Sequence, residues 1–107
     1  MSKVVKQVQL SGILDGTKAP QFRTDINNIV TAGADVVLID LKDVTFVDSS
    51  GLGALVSALK TVRSAGGKLC ICSINEQVRM LFELTSMDRV FDVFKNREEF
   101  EQQIASS

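Results

Sequence analysis

One turn concentrates most of the chemistry this sequence offers. Phe46-Val47-Asp48-Ser49-Ser50-Gly51-Leu52-Gly53 sets an acid, two serines and two glycines directly ahead of an apolar run at helical spacing. A helix start needs a single Ser or Asp as its cap. The surplus predicts either a tightly packed turn, with Gly51 and Gly53 there for close approach, or a site that handles phosphate. Free backbone N–H groups and the dipole at a helix start favour an anion. Asp15, followed by Gly16, and Asp40, closing the run Val36-Val37-Leu38-Ile39, are the other acids placed where strands would give way to loops.

Catalytic readings of these residues fail on their missing partners. The chain has no histidine, the commonest base for a serine nucleophile, and the order Gly-x-Ser-x-Gly is absent. Gly51-Leu52-Gly53 lacks the third glycine of a dinucleotide loop, its place being taken by Val56, and no phosphate loop ends in Gly-Lys-Ser or Gly-Lys-Thr. No enzyme activity and no cofactor are expected. Asp40 resembles the strand-end phosphoacceptor of two-component receiver domains. Those domains also need an acidic pair after the first strand, where this chain has Ser11-Gly12-Ile13-Leu14, and a lysine after the last strand, for which Lys95 is the candidate.

The elements that must position these groups alternate in period. Val4, Val8 and Leu10 mark a half-buried strand ending near Gly12, and Phe22, Ile26, Ile29 and Val30 mark a helix with Pro20 in its first turn and Gly33 closing it. Val36 to Ile39 reads as a central parallel strand buried on both faces. After a link from Leu41 to Asp48, a second helix from about Ser50 carries Leu52, Leu55, Val56, Leu59 and Val62, and Gly66-Gly67 stops it. A strand over Leu69-Cys70-Ile71-Cys72-Ser73-Ile74, a helix capped by Asn75, a brief strand from Val90 to Val93 and a helix opened by Asn96 and Glu99 complete the chain. The fold class is therefore α/β: one domain, a mostly parallel sheet of about four strands alternating with four helices. Ligands of such sheets gather at the carboxyl ends of the strands, where Asp15, Asp40 and the Asp48-Ser49-Ser50 turn fall.

Composition narrows the function classes. The 107 residues carry a net charge of −1 with no basic block, which argues against binding a nucleic-acid backbone. No apolar run reaches the roughly 20 residues that span a bilayer, and Met1 to Leu10 lacks a signal peptide's apolar stretch, so a cytoplasmic location without membrane attachment is expected. Cys70 and Cys72 alternate on one strand face, unsuited to a disulfide and without histidines to share a metal, and read as buried small hydrophobes.

Taken together, Asp48-Ser49-Ser50-Gly51-Leu52-Gly53 and the preceding Leu41-Lys42-Asp43-Val44-Thr45-Phe46 resemble the signature of STAS domains, specifically the bacterial anti-sigma factor antagonists. Leu10-Ser11-Gly12-Ile13-Leu14-Asp15 resembles that family's first block, and Gly66-Gly67-Lys68 the turn after its second helix. The resemblance implies a STAS-like domain over residues 1–107 that acts as a switch with no catalysis of its own. Ser49 would be phosphorylated by a partner that is both anti-sigma factor and ATP-dependent serine kinase. The unphosphorylated antagonist would capture that partner and free the sigma factor, and a metal-dependent serine phosphatase would reset the cycle. Asp15 and Asp48 would flank the acceptor, with Ser50, Gly51, Leu52 and Gly53 forming the helix start behind it. Family members usually carry another strand ahead of the one that ends here near Gly12, so a sheet of four main strands with one edge open to pairing, and room for a homodimer, is expected here. STAS domains also serve in transporters and other regulatory complexes, which makes a constitutive interaction module the alternative function.

Overall fold

A computed structural model of the chain describes residues 3–106. Its elements follow the alternation of periods: β1 (Val5–Leu14), α1 (Ala19–Thr31), β2 (Val36–Val47), α2 (Ser49–Ser64), β3 (Lys68–Cys72), α3 (Glu76–Leu84), a short 3-10 turn (Met87–Arg89), β4 (Asp92–Phe94) and α4 (Arg97–Ser106). The strands lie in the order β1-β2-β3-β4, and each neighbouring pair is parallel. β1 is thus an edge strand, on the side where an open edge is expected.

The two faces of the sheet are covered unequally. Phe22 and Ile26 of α1, Leu55, Leu59 and Val62 of α2, and Val78 and Phe82 of α3 pack with Val37, Ile39 and Leu41 into one core. On the other face Val36, Leu38, Cys70 and Cys72 meet Phe100 of α4, whose ring lies edge-on to Phe94 at 5.6 Å. Each of these buried aliphatic or aromatic side chains contributes about 1.5–3 kcal/mol. The apolar stripe of α2 therefore fixes the helix behind the Asp48 turn. Cys70 and Cys72 are buried free thiols, as expected, and burial pushes Cys70 up to about 11, far from a reactive thiolate.

Several boundaries differ from the sequence reading, among them β3, which ends at Cys72 and not at Ile74. β1 runs on to Leu14, and β2 continues from Ile39 to Val47, so the segment Leu41 to Val47 is strand and not link. The reason is a pair of register shifts, between Gln9 and Ser11 and between Gly12 and Ile13, which carry the two strands alongside each other past Asp40. Buried Leu41, Val44 and Val47 then fall three residues apart, which conceals the alternation of a strand. β4 begins at Asp92, because Val90 closes the 3-10 turn. The stop after α2 and the cap of α3 fall as read: Gly66 takes φ +83, and Asn75 Oδ1 accepts from Val78 N at 2.9 Å.

Candidate functional site

β1 and β2 end side by side, and the chain turns from β2 straight into α2. Asp48 is the N-cap: its Oδ1 accepts from Gly51 N at 2.8 Å, and its backbone carbonyl accepts from Leu52 N at 2.9 Å. Asp48 N in turn donates to the carbonyl of Leu14, the last residue of β1, at 3.3 Å. The first helical residue is Ser49, one position earlier than the spacing predicts. Its side chain is exposed, and its hydroxyl makes no hydrogen bond to another described residue. Ser50 is also exposed and lies against the next loop, since a Cβ on Gly16 would stand 3.6 Å from the Ser50 Cβ. Gly51 is buried directly over the end of β1, and Leu52 is buried with the core. Gly53 is exposed on the outer side of the helix.

Asp15 belongs to that neighbouring loop. Its Oδ1 accepts from Thr17 Oγ1 at 2.5 Å and Thr17 N at 3.0 Å, forming a tight Asx turn. The Thr17 hydroxyl, and less strongly the Lys18 ammonium, hold its carboxyl below the usual carboxylate range, so it is negative at neutral pH. The loop bearing Asp15 is thus braced against the first turn of α2, and Asp48 adjoins Ser49 in the chain. Asp48 is no spare charge awaiting a phosphate, because its carboxylate already takes the Gly51 N–H. An anion on Ser49 would compete with a carboxylate seated at the same helix start.

Residues 2–100 match the STAS domain family. The chain belongs to the STAS family. This STAS domain is 36% identical over 87 residues to the anti-sigma-B factor antagonist of Bacillus subtilis (strain 168), a match covering 81% of the chain and 79% of that relative. Its fold superposes on SpoIIAA of Bacillus, an anti-sigma factor antagonist whose unphosphorylated form gives a TM-score of 0.74 at 18% identity, covering 100% of this chain and 94% of that one. A sulfate transporter family protein from Wolinella succinogenes shares the fold at a TM-score of 0.83 and 12% identity, over 96% of this chain and 88% of that one. Antagonists and transporter domains therefore share one architecture, and the fold leaves the task to the site.

Asp40 lies apart from this turn in the STAS domain. Expected at a strand's carboxyl end, it sits in mid-β2 opposite Cys72, with 6% of its surface exposed. It accepts from Lys42 N at 2.9 Å and Gln7 Nε2 at 3.3 Å, which ties it to the strand irregularity beside it. A receiver-type acceptor needs a free carboxylate at a strand's end, and here the carboxylate is nearly buried and already bonded within a strand that continues to Val47. Among the described residues no cluster of three or more His, Cys, Asp or Glu forms a metal site, and no helix is long and apolar enough to cross a membrane.

Two features of the turn escaped the sequence reading. Ile13 and Phe46 pair across β1 and β2 and are 50% and 45% exposed, an apolar pair two residues ahead of Asp48. Asn75 and Gln77, at the start of α3, reach back to β2. Asn75 Nδ2 donates to the carbonyls of Val44 and Thr45, and Gln77 bridges both backbone polar groups of Val47. The β-alternation that could have flagged Ile13 and Phe46 is broken by the register shifts, and a side chain bonding backbone thirty residues away leaves no local pattern.

Proposed function

We propose that this STAS domain is a phosphorylation-regulated anti-sigma factor antagonist acting in the cytoplasm. Unphosphorylated, it captures an anti-sigma factor that is also an ATP-dependent serine kinase; phosphorylation of Ser49 ends the capture, and a metal-dependent serine phosphatase restores it. The domain itself catalyses nothing. The observation that carries this reading is Ser49 itself: an exposed, unengaged hydroxyl at the first position of a rigid helix, directly after a capping aspartate. The similarity to anti-sigma factor antagonists supports the choice of partner. A phosphoryl group brings about −1.5 to −2 charges to a turn that already holds Asp48 and adjoins the Asp15 loop. The apolar Ile13–Phe46 pair beside it supplies contact area, so the modification acts by charge and bulk at the rim of the docking face and requires no refolding.

The shared fold with a sulfate transporter family protein supports a second reading, a constitutive module of a transport assembly. Capture on the immobilised wild-type chain separates the two. An ATP-dependent serine kinase retained from cytosol, and released once ATP is added, is the expected result; retention of transport subunits, indifferent to ATP, would support the module and contradict the switch.

A further inference from the structure

We infer that Gln77 is a positioning residue for the Asp48-Ser49 turn, its side-chain amide standing in for the strand that β2 lacks beside Val47. Its consequence for phosphorylation rests on the reading of Ser49 as the phosphoacceptor.

β2 is twelve residues long, but β3 pairs with it only from Val36 to Asp40. On that side the second half of β2 has no neighbouring strand. In a strand the N–H and C=O of one residue point to the same side, so each unpaired residue presents a donor and an acceptor together. A primary amide answers both at once, with a carbonyl oxygen that accepts and an NH₂ that donates from one planar group. At Val47 it does so: Val47 N donates to Gln77 Oε1 at 2.9 Å, and Gln77 Nε2 donates to Val47 O at 2.9 Å. Asn75 Nδ2 bonds the carbonyls of Val44 and Thr45 at 3.2 and 3.1 Å while its Oδ1 caps α3. The start of α3 thus serves as a short surrogate strand, anchored by Val78 and Phe82 in the core.

The peptide leading into the turn is consequently held on both sides. Gln77 takes Val47 on the α3 side, and Leu14 O takes Asp48 N on the β1 side. Ser49 is the next residue. Where its hydroxyl stands relative to an incoming γ-phosphate depends on this pair of anchors, and small misplacement of a reacting group is costly in rate. Burial of apolar surface does not explain the arrangement, since leucine at position 77 would bury as much and bond nothing.

The test compares the full chain with Gln77→Leu and Gln77→Glu by amide hydrogen exchange, and by phosphoryl transfer from ATP using the serine kinase retained on the wild-type chain. In Gln77→Leu, exchange at Val47 and Asp48 is expected to rise about tenfold or more while Val37 and Ile39 in mid-β2 keep their protection. kcat for Ser49 phosphorylation should fall about tenfold with KM little changed. Gln77→Glu should match the leucine variant above neutral pH, where its carboxylate faces the Val47 carbonyl. Measured against wild type at each pH, it should recover as pH falls to about 5 and the introduced carboxyl gains the proton it needs to donate. Unchanged exchange at Val47 and Asp48 in Gln77→Leu would overturn the clamp. A loss of protection spread evenly over the fold, or a kcat deficit in Gln77→Glu that ignores pH, would reduce Gln77 to a packing residue and overturn the positioning role. A wild-type chain that accepts no phosphate at Ser49 would refute the phosphoacceptor reading instead, and the exchange results would still decide the clamp.

Discussion

Gly51→Ala is expected to cost about 3–5 kcal/mol or to prevent folding, read in thermal denaturation as a midpoint lowered by roughly 15 °C or more. A methyl group at this position would stand 2.0 Å from the Leu14 carbonyl oxygen and 2.8 Å from its carbon. Backbone cannot swing aside as a side-chain tip can, so β1 and α2 would have to separate. The same separation would break the Asp48 N to Leu14 O bond and loosen the Asp48 cap. Gly53 provides the internal comparison. Two residues further along the same helix nothing lies within 4 Å of its would-be Cβ, so Gly53→Ala should stabilise by about 0.5–1 kcal/mol through helix propensity alone. A Gly51→Ala chain with a wild-type midpoint would show that the two elements do not meet as closely as described. The two glycines of Gly51-Leu52-Gly53 therefore have different physical reasons: one is a contact, the other costs stability and faces solvent.

Ser49→Asp is expected to weaken binding of the anti-sigma factor by about tenfold to a hundredfold, while Ser49→Ala stays within about twofold of wild type. The substituted carboxylate stands beside Asp48 in a turn whose neighbouring loop keeps Asp15 ionised. Like charges meeting at a docking rim cost several kcal/mol only where the partner removes solvent, which is why the free protein should tolerate the change. An acid in the first turn of α2 favours the helix dipole while it repels the neighbouring Asp48 carboxylate, so the aspartate variant should melt close to wild type. Calorimetric titration of the three proteins, with melting curves beside it, separates lost affinity from lost structure. Equal affinities for the alanine and aspartate variants would count against a charge-operated switch.

The parts of this fold that were legible in the sequence are those governed by local rules. The stripe of Leu55, Leu59 and Val62 predicted which side of α2 enters the core, and Asn75 and Asn96 were placed as caps because a cap acts within three residues. Even there the reciprocal partner differs: Glu99 accepts from Lys95 N and not from Asn96 N, at 3.2 Å. β2 was half legible, because its buried run to Ile39 is continuous while its second half is strand by virtue of pairing with a bulged β1. Without that pairing the sequence places Asp40 at a strand end, the position of a phosphoacceptor. At the turn itself the residue types were readable, and the division of labour was not. Asp48 and Ser49 both suit a cap, and only the fit of Gly51 against Leu14 decides that Asp48 takes the Gly51 N–H and leaves the Ser49 hydroxyl exposed. Gln77 lay beyond reach because its partner is thirty residues away and is backbone, which carries no side-chain signature.

Ser49 is proposed as the addressable hydroxyl of this turn, with Ser50 and Asp48 serving its geometry. Mass spectrometry of the intact wild-type and Ser49→Ala chains, each incubated with the captured kinase and ATP, tests it most directly. A single added phosphoryl group on the wild-type chain, mapped to Ser49, and none on the alanine variant is the expected result; equal modification of the two chains would rule Ser49 out as the acceptor.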